Sequence, residues 1–89
     1  MRQSEGFILR RTADLTVILP VGEASLRFPG MISVNETGAF LWGLLETEQT
    51  ADTLARALTR EYEVELPQAR RDAEAFLDQL RKAGAVTED

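Results

Sequence analysis

The spacing of hydrophobic positions changes within residues 30–42, Gly30-Met-Ile-Ser-Val-Asn-Glu-Thr-Gly-Ala-Phe-Leu-Trp42. Apolar Ile32 and Val34 occupy every second position, which is the pattern of a half-buried strand. The apolar residues that follow return every three or four positions, which is typical of an amphipathic helix. Between the two patterns, Asn35 offers a short side-chain acceptor to the first helical turn. The sequence therefore predicts a strand that runs directly into a helix.

The region before this helix predicts a small antiparallel sheet of about three strands. Its segments share period-two alternation or a run of β-branched residues, and turn residues separate them. We expect extended segments at Phe7–Arg10, Leu15–Pro20, Ser25–Phe28 and Met31–Val34. Pro29 and Gly30 interrupt the last two segments, which are either one bent strand or two.

The remainder of the chain predicts three helices between about residues 35 and 84. The first is capped by Asn35 and the second by Thr50, while Pro67 stands in the first turn of the third and Gly84 ends it. We expect the helices to run from Asn35 to about Glu46, from Thr50 to about Tyr62, and from near Pro67 to Gly84. The apolar face of the third helix comprises Ala69, Ala73, Phe76, Leu77 and Leu80.

Strands followed by helices predict an α+β fold with a winged helix-turn-helix outline. The 89 residues are enough for one core, so we expect a single domain over residues 1–89. A three-stranded sheet must end in an edge strand, whose unpaired N–H and C=O groups can accept another chain. The border of the sheet is therefore a candidate interaction site.

The amino-acid composition excludes most kinds of catalytic site. The chain has no histidine and no cysteine, which excludes histidine-based acid–base catalysis and thiolate or imidazole zinc sites. No serine stands beside a base, and no glycine-rich phosphate loop occurs. A carrier domain would need Asp-Ser at a helix start, and Asp precedes none of the three serines. We therefore expect neither catalytic residues nor a metal or other cofactor.

The charge is negative and unevenly distributed. The net charge is −5, with four basic and three acidic side chains in residues 1–34 but six basic and twelve acidic ones in residues 35–89. A net negative charge disfavours sequence-independent binding to nucleic acid. No apolar run has the length of a membrane span, and the first 15 residues lack a secretory core. We expect a cytoplasmic protein that binds neither membrane nor nucleic acid.

Five stretches, between about residues 6 and 87, resemble the PqqD-like family, whose domain is also called the RiPP recognition element. They are Phe7-Ile-Leu-Arg10, Val17-Ile-Leu-Pro20, the strand–helix junction of residues 30–42, Glu61-Tyr-Glu-Val64, and the pattern Ala69, Asp72, Phe76, Leu77, Leu80 and Gly84. The Asn35–Ala39 block is the most specific of them. The segment Gly22–Gly30 is longer than in the shortest members of the family.

The resemblance implies a non-enzymatic module that captures the leader of a ribosomally made precursor peptide. Family members present the leader to a modifying enzyme, often a radical S-adenosylmethionine enzyme, and bind it as an added strand between the last strand and the third helix. Strand addition is also what the open sheet border predicts. Carried over to this chain, the peptide-binding residues would be Met31, Ile32, Ser33 and Val34 on the edge, and Arg70, Ala73, Leu77, Leu80 and Arg81 on the helix.

Two alternatives remain open at this stage. A winged-helix nucleic-acid binder would need a basic, exposed recognition helix, whereas the second helix carries Arg56 and Arg60 beside Asp52 and Glu61. The free edge could instead pair with its own symmetry mate in a self-associating module. The chain is accordingly predicted to be a monomer or a homodimer.

Overall fold

The computed structural model describes residues 1–88. Four strands and one helical turn make up its first part, and three longer helices make up most of the second. The elements are β1 Arg2–Gln3, β2 Phe7–Arg11, β3 Thr16–Pro20, α1 Ala24–Arg27, β4 Ile32–Ser33, α2 Glu36–Leu44, α3 Ala51–Glu61, α4 Leu66–Ala83 and β5 Val86–Thr87. The predicted α+β class is confirmed, and the three predicted helices correspond to α2, α3 and α4.

The main sheet is antiparallel and has the order β2-β3-β4. Strand β2 pairs with β3 from Phe7 opposite Pro20 to Arg11 opposite Thr16. Strand β4 adds to the other side of β3, with Ser33 opposite Val17. Among residues 1–88 no strand pairs with the far side of β4, so β4 forms one border of the sheet.

The predicted strand at Ser25–Phe28 is wrong, because this segment forms the single helical turn α1. Gly22 adopts a positive φ of 61°, and the Ser25 hydroxyl donates a hydrogen bond to the Gly22 carbonyl at 2.6 Å. In a half-buried strand Ala24 and Leu26, two positions apart, would share one face. Instead Ala24 is buried and Leu26 is 84% exposed, so the alternation in the sequence does not correspond to a strand. The pieces on either side of Pro29 and Gly30 are therefore separate elements, and β4 has two residues rather than four.

The two chain ends form a second, two-stranded sheet in which β1 pairs with β5. The sequence did not predict this pairing. The pairing is supported from both sides, since the Ser4 N–H donates to the Ala85 carbonyl and the Gln3 N–H to the Leu45 carbonyl, each at 2.8 Å. Strands of two residues carry too little pattern to be recognised in a sequence.

The predicted helix ends are confirmed. The Asn35 side chain accepts a hydrogen bond from the Gly38 N–H at 2.8 Å, and Thr50 forms a capping box with Thr53. Pro67 lies in the first turn of α4, and Gly84 ends that helix in a left-handed conformation with φ 76°. These caps mark where α2 and α3 begin and where α4 begins and ends.

The core lies between the sheet and the three longer helices. Its largest fully buried side chains are Ile18, Leu41, Leu45, Leu54, Leu58 and Leu80. Trp42, the chain's one tryptophan, is 4% exposed and belongs to the core cluster. No helix within residues 1–88 has the length and apolar character needed to cross a membrane.

Candidate functional site

The border strand β4 turns hydrogen-bonding groups away from the sheet. The Val34 N–H donates to the Thr16 carbonyl of β3 at 2.9 Å. In an antiparallel ladder, successive residues direct their N–H and C=O groups to opposite sides. Ser33 lies one residue before Val34, so its N–H and C=O point away from β3. A guest backbone can be bonded there without displacing any strand that the structure describes.

A cleft of about 380 Å³ opens beside this edge, between β4, the start of α2 and the middle of α4. Both polar and apolar side chains line it. They are Ser33, Val34, Asn35, Thr37, Gly38, Leu41, Asp72, Ala75, Phe76 and Gln79. The floor is formed by Leu41, which is 1% exposed, and the partly buried Phe76 lies against the core.

The strand–helix junction shapes the end of this cleft. A Cβ atom built on Gly38 would lie 3.0 Å from the Val34 Cβ and 3.3 Å from the Phe76 ring. The first turn of α2 therefore approaches both residues more closely than a side chain at position 38 would permit. Asn35 holds this turn in place through its bond to the Gly38 N–H. The sequence predicted the cap, and the structure adds that Gly38 lies against Phe76 of α4.

One acidic side chain, Asp72, lies among the residues that line the cleft. Its Oδ1 accepts a hydrogen bond from Gln68 Nε2 at 2.8 Å, which positions the carboxylate at the rim. Within residues 1–88, no group of three or more histidine, cysteine, aspartate and glutamate side chains is placed to hold a metal ion. The cleft thus offers an open backbone edge, an apolar wall and one negative charge.

The four residues predicted on the edge are placed differently from one another. Ser33 and Val34 line the cleft. Ile32 is 5% exposed and belongs to the core, whereas Met31 is 60% exposed. Ile32 lies opposite Ile18 and, like Val34, directs its backbone groups toward β3, so neither its backbone nor its side chain is open to a guest chain.

The residues predicted on the helix do not line this cleft. Ala73, Leu77 and Leu80 are between 0% and 4% exposed and pack in the core. Arg70 reaches α3, where its Nη1 lies 3.2 Å from Asp52 Oδ1. Arg81 lies 3.4 Å from Asp78 Oδ1. The side of α4 that borders the cleft was missed.

The missed positions on α4 are Asp72, Ala75, Phe76 and Gln79. They lie about a quarter of a turn from the buried stripe of the same helix. One signal pointed to them: Phe76 is a large aromatic residue at the margin of the apolar face. The chain otherwise gives no pattern for this stripe, because its polar residues resemble those of any solvated helix surface.

The opposite side of α4 carries an ion-pair cluster with α3. Asp52 accepts a hydrogen bond from Arg56 Nε at 2.8 Å and also faces Arg70. The hydrogen bond and charge of Arg56, with the charge of Arg70, lower the pKa of Asp52, and the pKa of Arg56 is raised in turn. The positive charge of Arg56 is thus partly balanced by Asp52 within the domain. This pairing gives no support to α3 as a basic recognition helix for nucleic acid.

The chain is similar to known proteins in both sequence and fold. The family model for Coenzyme PQQ synthesis protein D (PqqD) matches residues 16–86. The match runs from the start of β3 to the first residue of β5 and includes every residue that lines the cleft beside β4. The chain therefore belongs to the PqqD family, as the sequence resemblance predicted. A comparison with curated proteins gives no significant match.

Two solved structures share the fold over nearly the entire chain. One is described as TbiB1 in complex with the TbiA(beta) leader peptide, and it is 23% identical over 100% of both chains with a TM-score of 0.74. The other is lasso peptide synthetase B1 complexed with the leader peptide, 26% identical over 98% of this chain and 96% of that one, also with a TM-score of 0.74. Each of those proteins was solved with a leader peptide.

Proposed function

We propose that this protein is a non-catalytic peptide-binding module that captures the leader of a ribosomally synthesised precursor by strand addition. The observation that carries the proposal is the unpaired border of β4, which stands beside a cleft closed on its far side by α4. Family membership and the leader peptides of the two solved neighbours support the same function. The site lies within a single domain of residues 1–89.

In this proposal the main chain of the leader lies along β4. The N–H and C=O of Ser33 bond the guest backbone, which supplies affinity that does not depend on side-chain identity. Alternate guest side chains point into the cleft, where Val34, Leu41 and Phe76 can bury one apolar group. Burying a leucine-sized side chain contributes roughly 2 kcal/mol, so this contact would provide much of the selectivity.

The bound leader would be presented to the enzyme that modifies the precursor. The resemblance implies a radical S-adenosylmethionine enzyme as one such partner, while the 26% identical neighbour is described as lasso peptide synthetase B1. We propose that the module acts in the cytoplasm, as a monomer or a homodimer, and requires no cofactor of its own. The genes beside this one identify which modifying enzyme it serves.

The proposal can be tested with backbone-methylated leader peptides. The probe is the synthetic leader of the precursor encoded beside this gene, with one amide N-methylated in each peptide of a series. A methyl group on an amide that faces β4 removes a hydrogen bond and blocks approach, whereas a methyl group on the alternate amides leaves the ladder intact. Isothermal titration calorimetry should therefore show weaker binding at every second position across about five residues.

The unmodified leader and the same peptide with side-chain replacements serve as controls. Amide-shift mapping by NMR should place the largest perturbations on β4 and on residues 72–79 of α4. An affinity loss with no period of two, or shifts confined to α3, would contradict strand addition. No detectable binding of the unmodified leader would contradict the peptide-binding function itself.

A further inference from the structure

A second cleft, of about 280 Å³, lies between the start of β2, α1 and the C-terminal end of α4. Its lining combines aromatic rings with basic side chains: Phe7, Ala24, Arg27, Phe28, Arg81, Lys82, Ala83 and Gly84. The rings of Phe7 and Phe28 are tilted against each other with centroids 6.4 Å apart. This pair of rings supplies an apolar wall, and Arg27 and Lys82 are exposed beside it.

The second cleft lies further along α4 than the first, and we call the two clefts, with the surface of α4 between them, the groove. On α4, Asp72, Phe76 and Gln79 line the first cleft and Ala83 the second. Intervals of three and four residues place all four on one side of the helix. On the other wall, Ser33 and Val34 border the first cleft, while Phe28 borders the second. Helix α4 and the chain around β4 thus run in opposite directions along a common groove.

The two ends of this groove carry opposite charge. Asp72 is the charged residue that lines the first cleft, whereas the lining of the second contains three basic residues and no acidic one. Arg27 forms no ion pair within residues 1–88. Lys82 lies 3.3 Å from Asp78, but its side chain is 79% exposed, so that pair holds it weakly.

The basic end is unusual for this chain. The protein has a net charge of −5, and only ten of its side chains are basic. Three of those ten border one small cleft with an aromatic wall. Exposed cations near an apolar surface favour a partner that carries a carboxylate next to an apolar group.

We propose that the second cleft binds an acidic side chain of the same leader peptide whose backbone pairs with β4. The inference depends on the proposed function, because it extends the leader site along its groove. Asp72 and Lys82 are ten residues apart on α4, about 15 Å along the axis, which an extended peptide spans with about four to five residues. The leader is therefore recognised by two opposite charges at a fixed separation, in addition to its backbone and apolar anchor.

The separation also gives the sequence order of the guest. A guest strand antiparallel to β4 runs from the Asp72 end toward the Lys82 end. Its basic or neutral residue would precede the acidic residue by about four to five positions. A parallel guest would have the reverse order, so the leader sequence itself reports the direction of binding.

Charge reversal tests this inference. The double variant Arg27→Glu with Lys82→Glu inverts the second cleft, and Arg10→Glu with Arg60→Glu makes the same change in net charge at exposed positions that line neither cleft. The probe is the synthetic leader encoded beside this gene, studied by fluorescence anisotropy at low and high salt. We expect the cleft variant to bind about tenfold more weakly than the control variant at low salt, and the difference to shrink as salt screens the charges.

A second peptide makes the test specific to the acidic residue. In it, the aspartate or glutamate four to five positions from the residue that faces Asp72 is replaced by lysine. This peptide should bind the cleft variant better than it binds the unaltered protein. Equal affinities of the cleft and control variants, or the absence of rescue, would overturn the inference while leaving the peptide-binding function intact. If the unaltered protein bound no leader at all, both proposals would fail.

Discussion

Two sides of α4 differ: one is buried in the core, and the other borders the proposed binding site. One side presents Ala69, Ala73, Leu77 and Leu80, which are at most 4% exposed and join the helix to the core. The other side borders the open groove next to β4. The two sides are about a quarter of a turn apart, so a single residue step along the helix moves from core to cleft.

The difference teaches that an amphipathic pattern identifies the buried face of a helix rather than its binding face. Burial selects for regularly spaced apolar residues, which a sequence displays openly. A groove needs a mixture of apolar, small and polar residues, and that mixture has no period of its own. Phe76 belongs to both sides, because it packs against the core cluster and also lines the cleft.

The largest expected effect is on the buried side. Leu80→Ala removes a side chain with 0% exposure and should lower the free energy of unfolding by about 2–5 kcal/mol, because a cavity remains. Urea unfolding followed by the fluorescence of Trp42 measures the change. Leu26→Ala is the control, since Leu26 is 84% exposed and its loss should change stability by less than about 0.5 kcal/mol. A similar small change for Leu80→Ala would remove the distinction between the two sides.

On the groove side, the principal effect should be on binding. Phe76→Ala removes the aromatic wall of the cleft and should weaken leader binding about ten- to hundredfold by calorimetry. Phe40→Ala is the matched control, because Phe40 is also partly buried but packs against Tyr62, with ring centroids 5.6 Å apart, and does not line the cleft. If both variants lost affinity equally, the cause would be general loosening of the fold.

A pair of glycines in α2 sharpens the comparison further. Gly38→Ala would bring a methyl group within 3.0 Å of Val34 and 3.3 Å of Phe76, whereas an added Cβ at Gly43 meets no atom within 4 Å. Gly43→Ala should therefore stabilise the protein by about 0.5–1 kcal/mol, and Gly38→Ala should lose that gain and weaken leader binding. Thermal unfolding and calorimetry on both variants measure this. Equal stabilisation with unaltered binding would show that position 38 has room to spare.

The smallest effect concerns the ion pairs between α3 and α4. The pKa of Asp52 is lowered in the folded protein, so its contribution to stability is present above the pKa of the unfolded chain and is lost as the pH falls through the folded pKa. Asp52→Asn should accordingly lower the melting temperature slightly at pH 7 and not at pH 2. Leader affinity should not change, since Asp52 lies away from the groove.

Glu74→Gln provides the control for this measurement. Glu74 is exposed on α4 and has no ion pair within the part of the chain that the structure describes. Its replacement should leave the melting temperature the same at both pH values. If Asp52→Asn lowered the melting temperature equally at both pH values, the hydrogen bond to Arg56, rather than the charge of Asp52, would be the source of the stabilisation.

Local sequence was sufficient to predict most of the secondary structure. Asn35, Thr50, Pro67 and Gly84 mark helix ends because capping depends on residues within one turn of each other. The strands β2 and β3 were also predictable, because alternation and β-branched residues are short-range patterns as well. The segment from Ser25 to Phe28 was not, since its alternation fits both a strand and a single helical turn.

The sequence by itself determined the α+β class, the helix ends and the resemblance to the PqqD-like family, because these depend on short-range patterns and on residue identity at a few positions. Only the tertiary structure decided which stripe of α4 faces β4, where the two clefts lie, and that β1 and β5 join the chain ends. Those features depend on how separate elements pack, and packing of a helix against a sheet is set by the whole core rather than by any local run of residues.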